Sequence, residues 1–367
     1  MILDKRADLR HGDVKKLLFS LSVPTITSQI VNMLYNLVDR VFIGHMQPAE
    51  TVGKLALTGV GVCLPIIMVI SAFASLMAIG GAPRASIAEG AGESEKSERI
   101  MGNCLTMLVI TALVLTVLFE SFAEPLLLMF GASENTIGYA LDYMRIYALG
   151  TIFVQLTLGM NAYITAQGFA TVSMKTVLIG AGLNTVLDPV FIFVLHQGVR
   201  GAAIATVISQ MASCAFVLWF LLGKRPLVPI TFGGYRRRVM KQVLVVGLSP
   251  FLIIASDSVL IIMMNTIIQR YGGELQGDML LTCNTIVQSF MLMITMPLGG
   301  ITGGTQTIMG YNYGAGRPDR IRRAEKHILL LGIAFTAVMF LIANLLPQYF
   351  VRIFTQDPEY TSITNWA

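Results

Sequence analysis

The chain has 367 residues, of which 54% are apolar and 13% charged, and its mean hydropathy is +0.70. Soluble globular chains carry about twice that share of charge, so a soluble enzyme, a disordered chain and a secreted disulfide scaffold are excluded and a polytopic helical membrane protein fits. The net charge of +5 does not point to nucleic acid, because the basic residues stand in short runs between apolar stretches rather than on one face.

A bilayer core takes about 20 mostly apolar residues per helix. Nine such stretches follow in chain order, at 17–43, 56–79, 101–122, 139–162, 174–195, 201–222, 240–268, 280–302 and 327–350. They lack the apolar–polar alternation of barrel strands, so the expected class is all-α. The first is too long for a cleaved signal peptide and lacks a small-residue cleavage site. Of the 26 Lys and Arg, 20 fall on the side that carries the N-terminus, and Arg40, Lys54, Arg145, Arg200, Arg270 and Arg352 fall on the other. The positive-inside rule makes the N-terminal side cytoplasmic. Cys63, Cys104, Cys214 and Cys283 lie far apart in apolar stretches and read as core thiols.

The chain resembles itself at an offset of 224–226 residues. Leu21-Ser22-Val23-Pro24 recurs as Gly247-Leu248-Ser249-Pro250, Gly90-Ala91-Gly92 as Gly314-Ala315-Gly316, and Phe130 as Phe354. Six spans fit in the first copy, so the second starts on the same side and the repeats are parallel. The expected organisation is a six-helix lobe at 1–225, a linker at 226–238 rich in Pro and Gly, and a partial lobe at 239–367 with spans seven to nine. On this arithmetic about three helices and 85 residues of the second copy are lacking, and the chain as given is not expected to transport.

Charges at membrane depth are costly, so each asks for a reason. Among the acidic residues, Asp39, Asp188 and Asp257 lie within spans. Ser28, Asn32, Asn36 and Asp39 share one face of span one. For Ser28 and Asn32 the alternative to a cavity stripe is interhelical hydrogen bonding, and for Asp39 it is pairing with Arg40. In span five Asn184 and Asp188 share a face, and Pro189 follows directly. A proline there is expected to kink the helix, as is Pro24 in span one. A kink beside an intramembrane carboxylate is a feature of transporter cation sites. Thr206 follows the close-packing pair Ala202-Ala203. Asp257, flanked by Ser256 and Ser258, reads as either functional or bundle-stabilising. Asn284, Gln288 and Thr295 share a face of span eight, a candidate cavity wall. Met263, Met264, Met291, Met293 and Met296 read as core filling, with a promiscuous apolar cavity as the alternative. Gly80-Gly81, Gly303-Gly304 and Gly314-Ala315-Gly316 are not phosphate loops and read as helix ends or close-packing points. With no nucleotide motif, active transport would draw on an ion gradient.

Leu37-Val38-Asp39-Arg40-Val41-Phe42-Ile43-Gly44, Asn184-Thr185-Val186-Leu187-Asp188-Pro189, Gly201-Ala202-Ala203-Ile204-Ala205-Thr206 and Gly310-Tyr311-Asn312-Tyr313-Gly314-Ala315-Gly316 together resemble multidrug and toxic compound extrusion (MATE) transporters. The likeness runs over the whole chain and is nearest the DNA-damage-inducible and staphylococcal-type exporters. The resemblance implies twelve helices in two six-helix lobes, a cavity between them, and efflux coupled to Na⁺ or H⁺ by rocking. It implies a monomer in the bacterial cytoplasmic membrane that moves drug-like organic cations, binds no nucleic acid and needs no cofactor beyond the transported ion. Carried over by residue, its first-lobe cation site is Asp39, Asn184, Asp188 and Thr206. Asp257 stands close to a second-lobe acid used by some members. A lipid-linked oligosaccharide flippase of the same superfold is the alternative, but it would line its cavity with Arg or Lys, and this chain has almost none at mid-membrane. An integral-membrane enzyme would need a clustered nucleophile or metal set, and none is visible.

Overall fold

The computed structural model describes residues 6–46 and 52–345, except for some helix side chains, most of them within 258–289. Phe354 and Arg352 lie outside the described residues, as do the side chains of Asn36, Lys54, Ser258, Arg270 and Cys283. Among the described residues the architecture is helical throughout: α1 (Val14–Gly44), α2 (Lys54–Gly90), α3 (Ser94–Met129), α4 (Ile137–Leu149), α5 (Thr151–Ala166), α6 (Ala170–Pro189), α7 (Gly198–Leu222), α8 (Arg237–Gly314) and α9 (Pro318–Leu345). Seven of the helical segments are long and apolar enough to cross a membrane, and α4 with α5 makes an eighth as a bent pair. The expected eighth span, 280–302, lies partly outside the described side chains.

Local chemistry sets the ends and bends. Asp13 caps α1, its carboxylate accepting from Lys15 N at 2.9 Å and Lys16 N at 3.1 Å. The amide of Lys16 holds that carboxyl below the usual aspartate range. In α3 Phe122 departs from helical geometry at φ −119°. Pro125 causes this, since its ring crowds the carbonyl one turn back and it donates no hydrogen bond. The stretch expected as a single span at 139–162 is instead bent by 55° between α4 and α5. The bend falls at Gly150, where a Cβ would press on the side chain of Val207 at 2.6 Å. Glycine there lets α7 approach the joint closely.

The helical run α8 cannot be straight. Val243 carbonyl faces Gly80 of α2, and Gly310 faces Pro83 and Ser86 of the same helix. In a straight helix Val243 and Gly310 would stand about 100 Å apart, so the run doubles back between the segments expected as spans seven and eight. Both arms pack on α2 through glycine. A Cβ on Gly80 or Gly247 would run into the backbone of the facing helix, and so would one on Gly90 or Gly314. The first arm of α8 touches α2 again where the rings of Phe73 and Phe251 lie 5.0 Å apart.

Apolar side chains bury in three clusters. One, with Met101, Leu108, Met160, Tyr163 and Val217, fills the half of the bundle nearer the N-terminus. A second, with Ile43, Cys63, Ile66, Tyr143 and Met144, fills the other half. A third joins Leu9 and Leu17 to Ile308 and Ala324. Cys63, Cys104 and Cys214 are buried thiols, as their apolar context predicts. The methionines of α8 correct the core-filling expectation: Met263, Met264, Met291 and Met293 are exposed. Their helix presents this face away from the packed clusters.

Candidate functional site

Asp188 and Asn184 stand one turn apart on α6 and are 0% and 2% exposed. Pro189 ends α6 rather than kinking its interior, and Val190–Val194 continue as a single π-turn. A proline has no N–H to extend the α-helical ladder, so the chain widens its turn there. Gly201, at the start of α7, seats against this turn, because a Cβ would meet the carbonyl of Phe191 at 2.7 Å. That approach places Thr206 beside α6. Asn184 Nδ2 donates to Asp188 Oδ1 at 3.0 Å and to Thr206 Oγ1 at 3.4 Å. From α1, Asp39 brings its carboxyl into hydrogen-bonding contact with that of Asp188. Asp39 is buried, whereas its neighbour Arg40 is exposed. Pro24 sits within α1, which runs as one helix from Val14 to Gly44.

Sequence reasoning missed one member. Tyr143 of α4 is fully packed and lies within range of both Asp39 and Thr206. Tyr147 stacks on it with ring centroids 5.9 Å apart. Both tyrosines sit in an apolar amphipathic helix, where an aromatic reads as core. The only signal was their spacing of four, which puts two rings on one face.

The cluster has more acceptors than donors. Asp39 Oδ1, Asp188 Oδ2 and Asn184 Oδ1 are buried without a hydrogen-bond partner. Two carboxyls in contact away from water cannot both stay bare and ionised, so they need a shared proton or a cation between them. Carboxylate, amide and hydroxyl oxygens are the donor set that hard cations take. The site can therefore hold Na⁺ or H⁺ by the chemistry of its own side chains.

The other candidate residues stand on α1 and α8. Asp257 is exposed and lines a shallow cavity of about 580 Å³ on α8 with Ser249, Leu252 and Ser256. Gln288 and Thr295 are exposed and Asn284 half-buried on the second arm of α8. Asn32 is half-buried on α1.

Known proteins are similar to this chain in sequence and fold. The multidrug export protein MepA of Staphylococcus haemolyticus is 25% identical over 358 residues, covering 97% of this chain and 77% of its own length. A crystal structure of MATE in the bent conformation superposes with a TM-score of 0.88 at 25% identity, over 98% of this chain and 80% of its own. An outward-facing multidrug resistance MATE family transporter superposes with a TM-score of 0.88 at 25% identity, over 99% and 80%. The MatE family profile matches residues 24–190 and 254–367, and with that match and the multi-pass helical fold the chain belongs to the MatE family of multidrug efflux transporters.

Proposed function

We propose that this protein is a cation-coupled antiporter that exports amphipathic, mainly cationic organic compounds by alternating access. The observation that carries the reading is the buried Asp39–Asp188 contact with its three unpartnered oxygens. A site that is incomplete without a cation or proton is a natural place for the coupling ion, H⁺ or Na⁺, to enter and leave. Carboxylates beside the transport path would favour cations and repel anions. Ion entry from outside relaxes the repulsion between α1 and α6, and the change in their packing expels the drug.

The experiment is dye movement in proteoliposomes under an imposed pH or Na⁺ gradient. For the transporter expressed from its own gene, gradient-dependent movement of an ethidium-like cation, with an anionic dye of similar size left behind, is the expected result. Movement of anionic dyes alone would overturn the proposal.

The orientation belongs to the same reading. The end of the bundle that carries the N-terminus, the linker after α7 and the α8–α9 corner is cytoplasmic. Cysteines placed within Arg236–Lys241 and Arg317–Lys326 are expected to resist an impermeant reagent added outside whole cells and to react after permeabilisation. Ready labelling from outside would reverse the topology.

A further inference from the structure

The N-terminal segment 6–12 lies between the first six spans and the α8–α9 corner. Toward the first spans, Arg6 Nε donates to Gln167 O at 3.0 Å, the Arg6 guanidinium pairs with Glu89, and Ala7 N donates to Gly168 O at 3.1 Å. Toward α8 and α9, Arg320 Nη2 donates to Gly12 O at 2.7 Å and Leu9 O at 3.3 Å, while Arg320 Nε donates to Asn312 Oδ1 at 2.9 Å. Asn312 Nδ2 donates to Leu9 O at 3.3 Å, and Arg317 Nη1 donates to Arg10 O at 2.8 Å. Leu9 is 1% exposed and packs with Ile308 and Ala324.

These bonds have a common logic. The carbonyls of Leu9 and Arg10 precede α1, so the α1 ladder does not satisfy them. A guanidinium fork can satisfy several such acceptors at once, which an ammonium cannot do in fixed geometry. Directly beneath the segment, α2 meets α8 and α8 meets α5 through buried groups. Ser86 Oγ donates to Thr307 O at 3.3 Å, and Thr307 Oγ1 donates to Thr165 O at 3.2 Å. The segment thus bridges both sides of the seam that shuts this end of the bundle. Its own contacts are different in kind from the seam: Arg6 keeps 31% of its side chain exposed, and Arg317 and Arg320 are half-exposed. Water can replace the bonds of the half-exposed arginines at small cost.

We propose that residues 6–12 form a strap, held by Arg6 at one end and Arg320 with Asn312 at the other, that locks the cytoplasmic mouth shut and must release before the mouth opens. The inference rests on the alternating-access reading, but its test reads mouth opening without substrate or ion gradient. The two therefore fail separately: the gradient experiment tests transport, and the following one tests the strap.

The reporter is Ser86→Cys in the full chain with its four native cysteines replaced by alanine. Ser86 is 1% exposed beneath the strap. Its reaction with a maleimide applied to the cytoplasmic face is expected to run about tenfold faster in Arg320→Gln, Asn312→Ala and Arg6→Gln, since each removes charge-assisted or buried hydrogen bonds. Arg322→Gln, at an exposed site on the same helix, is expected to leave the rate unchanged. Only variants that purify as folded protein are scored, and the three lie at both ends of the strap, so loss of one leaves the others. Unchanged rates in the folded strap variants, or an equal rise in Arg322→Gln, would overturn the strap.

Discussion

Asp188→Asn is expected to abolish drug efflux while leaving the protein folded and in the membrane. The substitution keeps the shape of the side chain and its ability to bond Asn184, which donates to Asp188 Oδ1 at 3.0 Å. It removes the charge that a cation needs and the proton that a carboxyl can release. Folding does not depend on that charge, because a buried carboxyl pair is an electrostatic cost that an amide relieves. Gradient-driven efflux in the transporter expressed from its own gene should fall by about a hundredfold, the upper range of a coupling free energy, with the amount of protein unchanged on a blot. Full efflux in the mutant would remove this residue from the coupling site.

Gly247→Val is expected to damage the packing between α2 and α8 severely. A Cβ at Gly247 would strike the backbone carbonyl of Leu76, and a backbone carbonyl cannot rotate aside as a side chain does. The helices must part or shift. Overpacking of this kind costs about 1–3 kcal/mol, enough to lower Tm by up to about 4 °C in a chain of this size. Gly303→Ala on the same helix is the control, because nothing lies within 4 Å of its Cβ position. It should leave Tm unchanged or raise it slightly. A Gly247→Val protein as stable as the parent would mean that α8 does not press on α2 as described.

Hydropathy made the spans readable because a bilayer imposes a length and a composition on each helix. The intramembrane acids Asp39 and Asp188 were readable for the same reason, since a charge stands out against an apolar run. Thr206 was a weaker signal that gained its meaning from Asn184, 3.4 Å away across a helix pair. What stayed hidden depends on contacts between distant parts of the chain. Tyr143 looks like any core aromatic until Thr206 arrives from another helix. Gly150 is one glycine among 34, and only the side chain of Val207 against it shows why a glycine stands at the bend. Pro189 was readable as a break, but the π-turn that follows it was not, because a wider turn has no sequence period over five residues. The N-terminal basic residues marked a side of the membrane by their charge. That Arg6 also ties to Glu89 emerges only when residues far apart in sequence are brought together.

The most direct test of the coupling site is infrared difference spectroscopy of the purified protein, titrated with acid or with Na⁺ and read in the carboxyl bands. The account predicts a carboxyl signal on binding H⁺ or Na⁺ that is shifted or lost in both Asp39→Asn and Asp188→Asn, since the two groups hold one ion between them. The same signal persisting in both variants would contradict it.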